Sequence, residues 1–446
     1  MVRACNGGAV ERFRLDSRPE VQTMRVLFLI LLLLFGLAGP VRAQEAEAGL
    51  RARAEQVVEL LRGGGDPTAL FTPVFLAQVP PDQVRAVSRQ LAAQYGAVRG
   101  LAGVDAASAQ AGVIHVAFER GTVHMRIVLE PDPPGRVAGL LVTGAETQGD
   151  SLSGVVGEMR ALPGTTSLAV ARLGPGAPQM LASLEPDRPM AIGSAFKLFI
   201  LAELTRQVQA GRRHWSDVVA LDRHSIPTGS LQTWPLGSPV TLHTLGALMI
   251  SVSDNTAADV LLHTLGRENV ERMMTTIGVA DPARNIPFLS TLEVSTLKTA
   301  PAPALNAWLQ ADAAGRRQLL ARDYANPDPT RVDISRLEGG PLHIDSLEWF
   351  ASTADLVKAM DWLRRNGDDT ARAILAINGA LGPNSGGFAY AGYKGGSEAG
   401  VLNLTWLVRN RSGVWHALSG TWNDPAARLE ESRFIGLMAR VAQQLR

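Results

Sequence analysis

The chain has one cysteine, Cys5, and four lysines, at 197, 298, 358 and 394, among 446 residues. The first scarcity excludes a fold stapled by disulfides, so stability has to come from a packed core. The second is selective, because arginine supplies the other 39 basic residues. A guanidinium keeps its charge, whereas an amine can be made to give up a proton. Positions where lysine is kept are therefore worth watching. Long runs of one charge are missing too. Net charge is +1, which argues against nucleic acid as the main partner. None of the eight histidines pair at metal-ligand spacing, so a zinc hydrolase has little support and no metal or other cofactor is expected. What remains is 46% hydrophobic and 19% charged, a globular composition long enough for two domains.

Residues 1–43 are read as a signal peptide rather than as fold. Val26 to Ala38 is an apolar run of 13 residues between Arg25 and Gly39-Pro40-Val41-Arg42-Ala43. A basic flank, a short apolar core and a small-residue end make an export signal, and the core is too short to span a bilayer as a helix. Met24 is read as the start, with residues 1–23 an extension. Cleavage after Ala43 leaves Gln44 first, removes Cys5, and leaves no stable membrane anchor. The expected location is periplasmic or secreted.

Residues 46–145 read as a first unit. Ala46 to Arg62 and Pro81 to Tyr95 have helical periodicity, and the second begins on proline. Gly112 to Phe118, Thr122 to Leu129 and Val137 to Val142 alternate or are rich in β-formers. Helices first and a strand meander after predict an α+β unit. It resembles the cystatin-like or ketosteroid-isomerase-like modules that precede some secreted hydrolases. His115 and His124 fall on its strands and read as sheet residues rather than ligands. The polar stretch Gly144 to Gly154 is the expected boundary.

The second unit, residues 154–446, is organised around Pro189 to Leu204, a loop running into a helix apolar on nearly every side. Such a helix belongs inside a domain. Ser194 and Lys197 are its polar exceptions, three apart and so on one face. An amine beside a hydroxyl can take its proton if burial or a neighbouring charge leaves the amine neutral. S-x-x-K alone is a loose pattern, and Ser295 to Lys298 repeats it in a Pro-punctuated stretch with no comparable helix behind it. The company of Ser194 separates the two. Ser253-Asp254-Asn255 follows 59 residues on, and Lys394-Gly395-Gly396 stands near the C-terminus. Ser253-Asp-Asn also reads as a helix N-cap, a role open to Asn255.

S-x-x-K, S-D-N and K-T-G in that order resemble the signature of class A β-lactamases and penicillin-binding proteins. The resemblance implies an antiparallel sheet flanked by helices, behind the small helix-plus-sheet unit: two-domain α+β overall. Ser194 becomes the acylating nucleophile and Lys197 its base. Ser253 passes a proton to the leaving nitrogen, Asn255 holds Lys197 and the substrate amide, and Lys394 helps hold a substrate carboxylate. The backbone N–H groups of Ser194 and Ser397, with Gly395 and Gly396 beside them, form the oxyanion hole.

Three departures bear on activity, and one is that no arginine stands between Lys394 and Arg409. Gly395 replaces the hydroxyl residue usual after the lysine, and the Glu-x-x-Leu-Asn loop that activates the deacylating water in class A enzymes has no match. Glu293, 40 residues after Ser253, stands roughly where that glutamate is expected. The extra stretch Ala302 to Asp345 reads as a helical hairpin and loop over the site. The implied substrate is a small-molecule β-lactam, or a cell-wall peptide or ester. A penicillin-binding-like D-alanyl-D-alanine peptidase, a slow-turnover binder or sensor, and an esterase stand beside the β-lactamase reading.

Overall fold

The computed structural model describes residues 39–133, 135–147, 149–325, 328–381 and 387–446. The expected leader lies outside them apart from Gly39 to Ala43. Among the described residues no helix is long and apolar enough to cross a membrane.

Helix α1 (Gly39–Leu61) buries Leu50, Ala54, Val57, Val58 and Leu61, the spacing of one helical stripe. Helix α2 (Pro81–Tyr95) starts on proline and stops at Gly96, whose φ of 82° few other residues adopt. Strands β1 (Val98–Ala106), β2 (Ala111–Phe118), β3 (Gly121–Leu129) and β4 (Val137–Thr147) form an antiparallel meander in chain order. In β2 and β3 alternate residues are buried, with Ile114, Val116, Val123, Met125 and Ile127 packed towards the helices. His115 and His124 face each other across the pair. Strand β1 escapes a sequence pattern because Val98-Arg-Gly-Leu-Ala-Gly lacks alternation, and its pairing with β2 is correspondingly irregular at Val98/Gly100 and Leu101/Gly103.

After α3 (Leu152–Arg160), capped by Ser151, come β5 (Thr165–Leu173) and β6 (Gln179–Leu184). A helical half follows: α4 (Lys197–Gln209), α5 (Leu242–Ser251), α6 (Asn255–Leu265), α7 (Arg267–Ile277), α8 (Thr291–Thr299), α9 (Thr353–Asn366) and α10 (Asp369–Ala376). The chain closes with β7 (Phe388–Glu398), β8 (Val401–Asn410), β9 (Trp415–Asn423) and α11 (Glu431–Gln443). These strands form one antiparallel sheet in the order β7-β8-β9-β5-β6. One face packs on α3 and α11 through Leu168, Val170, Trp406, Leu418 and Phe434. The other packs on the helical half through Ala169, Ala171, Leu407 and Ala417. Strands covered on both sides are buried almost throughout, as β5 and β8 are, their polar Ser167, Asn403 and Thr405 included.

Arg440 of α11 binds Asp150 at 2.7 and 2.9 Å and Glu158 of α3 at 2.7 and 2.9 Å, all at the junction of the two units. The stretch Ala302 to Asp345 contains the expected helices, Ala302–Gln310 and Ala313–Asp323, and the shorter Ile334–Gly339.

Candidate active site

Every residue from Lys197 to Thr205 at the start of α4 is buried, which places the helix between the sheet and its neighbours. Ser194 lies just before it, in the 3-10 turn Gly193–Phe196, and Lys197 is the first α-helical residue. Two glycines let β7 touch this turn. A Cβ on Gly396 would stand 2.3 Å from the Ser194 amide nitrogen, and one on Gly193 would stand 3.1 Å from that of Ser397. Any side chain at 396 would push the strand away. The backbone of Ser397 is thereby brought close to that of Ser194.

Lys197 is fully buried. Its Nζ donates to Asn255 Oδ1 at 2.6 Å, to the Ser253 carbonyl at 2.7 Å and to Ser253 Oγ at 3.1 Å, and reaches Ser194 Oγ at 3.4 Å. All four acceptors are neutral. Burial, and then the like charge of Lys394, hold its pKa well below the ordinary lysine value. Lys394 donates to the same Ser253 Oγ at 3.1 Å and to the Gly395 carbonyl at 2.5 Å, and burial brings its pKa down to about 7. One serine hydroxyl thus links two amines that cannot easily both be charged.

Ser253 has φ of 58°, an uncommon value for serine that turns the chain sharply between α5 and α6. The N-cap of α6 is Asp254, not Asn255. Its Oδ1 accepts from Ala257 N at 2.9 Å, while Oδ2 accepts from Ser230 N and Leu231 N at 2.7 and 3.0 Å. With the cap supplied, Asn255 is free to hold Lys197 through its oxygen and to donate to the Ile226 carbonyl at 2.8 Å.

Gly395 has a steric cause. A Cβ there would fall 2.0 Å from the Tyr393 hydroxyl and 2.8 Å from the Asn403 carbonyl. The tyrosine hydroxyl occupies the space of the missing side chain, and burial keeps it neutral by raising its pKa.

Glu293 is a correction. Its carboxylate binds Arg267 at 2.7 and 2.9 Å, and Oε2 also accepts from Ser290 N at 2.7 Å, closing a capping box on α8. Both oxygens are committed away from Ser194. A cavity of about 270 Å³ opens beside Ser194, and Glu293 does not line it. Its walls do include Asn255, Ser397 and, from the extra helical stretch, Ile334, Leu337 and Glu338. They also include Ser295, Lys298, Glu348 and Glu398, which sequence reasoning set aside or missed. Lys298 is buried against Glu348 and Glu398. Burial opposes its charge, but the two carboxylates outweigh burial and raise its pKa. The second S-x-x-K therefore holds a fixed cation and no base. Among the described residues no cluster of three or more His, Cys, Asp or Glu could hold a metal.

Residues 152–326 match the model of the β-lactamase enzyme family. The matched segment carries Ser194, Lys197, Ser253 and Asn255, and Lys394 joins them from beyond it. The domain is similar to several solved structures. A β-lactamase from Sphaerobacter thermophilus DSM 20745 is 20% identical, with a TM-score of 0.46, covering 66% of this chain and 97% of that one. A PBP-A variant solved as an acyl-enzyme complex with penicillin G is 16% identical, TM-score 0.46, covering 66% and 95%. A β-lactamase from Chitinophaga pinensis DSM 2588 is 15% identical, TM-score 0.44, covering 66% and 96%. No curated protein matches the chain.

Proposed function

We propose that this protein is an exported serine hydrolase that is acylated at Ser194 by a β-lactam or a related amide or ester. The observation that carries the reading is the environment of Lys197. A buried amine with only neutral acceptors, beside a second amine, is poised to be uncharged. Neutral Lys197 takes the Ser194 proton as Oγ attacks the carbonyl carbon. The oxyanion that forms lies against the amides of Ser194 and Ser397, each donor contributing about 3 kcal/mol. As the carbon–nitrogen bond breaks, the proton passes from Lys197 through Ser253 to the leaving nitrogen. Lys394 offers positive charge to a substrate carboxylate. The N-terminal helix-and-sheet unit is assigned a cystatin-like or ketosteroid-isomerase-like docking or shielding role.

A penicillin-binding-like module that turns over slowly is the second reading. It is favoured by the commitment of Glu293 to Arg267 and Ser290. Intact-mass measurement after benzylpenicillin treatment tests the common core of both. An adduct is expected on the parent and none on Ser194→Ala, whereas Ser295→Ala is labelled like the parent. Labelling that survives Ser194→Ala refutes the assignment. N-terminal sequencing of the mature protein is expected to return Gln44, and an intact Met1 or Met24 on a cytosolic protein overturns export.

A further inference from the structure

Hydrolysis of an acyl-enzyme needs a base within reach of a water on its open face, and Glu293 has turned away. The cavity beside Ser194 is lined by three other carboxyl groups, of which Glu338 stands on the extra helical stretch and the other two form a cluster. Glu398 ends β7, one residue past Ser397, and Glu348 precedes the short strand Phe350–Ala351. Lys298 of α8 joins them, bonded to Glu348 Oε1 and, at 2.5 Å, to Glu398 Oε1. Three separate elements converge on this cluster. The side chains of Lys298 and Glu348 are 2% and 1% exposed, while that of Glu398 is 31% exposed. Of these three side chains, that of Glu398 alone is appreciably exposed.

One ammonium between two carboxylates leaves a surplus negative charge in a wall that is mostly out of water. Burial, and then the charge of Glu348, push the Glu398 pKa up to about 8 against the pull of Lys298. Such a group is still a base near neutral pH, and stronger than an ordinary carboxylate. Other charges stand around it. Glu338 and Arg428 line the same cavity, and His343, lowered by burial and then by Lys298, lies close enough to feel the cluster.

We propose that Glu398, positioned by Lys298 and Glu348, is the base that activates water for hydrolysis of the Ser194 acyl group. The inference rests on the acylation reading above. Glu398 takes one proton from the water while the water oxygen bonds to the acyl carbon, and the oxyanion sits at the Ser194 and Ser397 amides. Collapse breaks the bond from carbon to Ser194 Oγ. The proton held by Glu398 returns to Oγ, and the product leaves as a carboxylic acid. Water is consumed, and the enzyme is restored.

The test follows decay of the benzylpenicillin adduct on the full mature chain by intact mass, as a function of pH. In the parent, deacylation is expected to rise about tenfold per pH unit and to level off above about pH 8. Glu398→Gln is expected to acquire the adduct but to lose it at least about a hundredfold more slowly, without the pH slope. Glu348→Gln removes the like charge, so its slope should level off at lower pH, a shift that a merely structural role would not produce. An adduct on Glu398→Gln that decays at the parent rate overturns the proposal. So does a parent adduct that decays independently of pH, or never decays. A parent that acquires no adduct refutes the acylation reading itself, and this inference with it.

Discussion

Replacing Lys394 by methionine removes a charge from beside Lys197 while keeping most of the side chain's length. The two amines each lie 3.1 Å from Ser253 Oγ, so their nitrogens are at most about 6 Å apart. At an effective dielectric of about 20, two unit charges at that separation repel by about 2.8 kcal/mol, or about two pKa units. Both side chains are buried, so solvent screening does not reduce this much. In the parent, acylation should rise with pH as Lys197 loses its proton, at a pH well below that of an ordinary lysine. In Lys394→Met the Lys197 pKa goes up, because the repulsion that lowered it is gone. The rising limb should move about two units to higher pH. On the old limb, that is up to about a hundredfold loss. Rapid mixing with a saturating fluorescent penicillin reads the acylation step free of binding. A rising limb that stays in place would refute the view that Lys197 acts by being neutral and that Lys394 keeps it so.

Two further substitutions test the scaffold. Glu293→Gln is expected to destabilise the fold by about 3 kcal/mol, because it leaves Arg267 without its buried counter-charge. The lifetime of a Ser194 adduct should not change, and a longer one in mass spectra would restore Glu293 to the chemistry. Arg440→Met should cost about 3–5 kcal/mol in denaturant unfolding, since it strands the buried Asp150 carboxylate. The Asp150 pKa is lowered in the fold: burial opposes this, but the bonds from Arg440 prevail. That contribution is present above the unfolded aspartate pKa and lost as pH falls through the folded one. The variant's stability should therefore fall less steeply in acid than the parent's.

That Lys197 and Lys394 would meet at a candidate site was legible because lysine is rare here, and the two stood out against 39 arginines. The Glu293 assignment failed for a reason also written in the chain. Ser290-Thr-Leu-Glu293 is the capping-box pattern, and a glutamate closing such a box has its oxygens turned to its own helix start. Asp254 is similar, since an N-cap had to be found before α6 and only one of the adjacent Asp254 and Asn255 could supply it. The Lys298 cluster was not legible. Its partners lie 50 and 100 residues away, and nothing local marks Glu348 or Glu398 as converging on one lysine. Gly395 belongs with these, because its neighbour Tyr393 reaches back over it only once β7 has formed.

The two S-x-x-K strings isolate what makes a lysine a base. Lys197 and Lys298 are equally buried, at 0% and 1% exposure, so desolvation pulls both pKa values down. The outcomes are opposite because the partners differ. Lys197 meets carbonyl, hydroxyl and amide oxygens, and Lys298 meets two carboxylates. Asn255→Asp should therefore convert the first case into the second with almost no change of shape. The contact at 2.6 Å becomes an ion pair worth about 6 kcal/mol at an effective dielectric of about 20. Part of this offsets burial of the new carboxylate and loss of the hydrogen bond to the Ile226 carbonyl, and the remainder raises the Lys197 pKa. Lys197 then stays charged at neutral pH and cannot accept the Ser194 proton. Acylation by penicillin should fall by about three orders of magnitude or more, while the fold and the hydrogen bond from Lys197 to residue 255 persist. If Asn255→Asp is acylated at the parent rate, the protonation state of Lys197 is irrelevant to the reaction, and its role reduces to holding Ser253 in place.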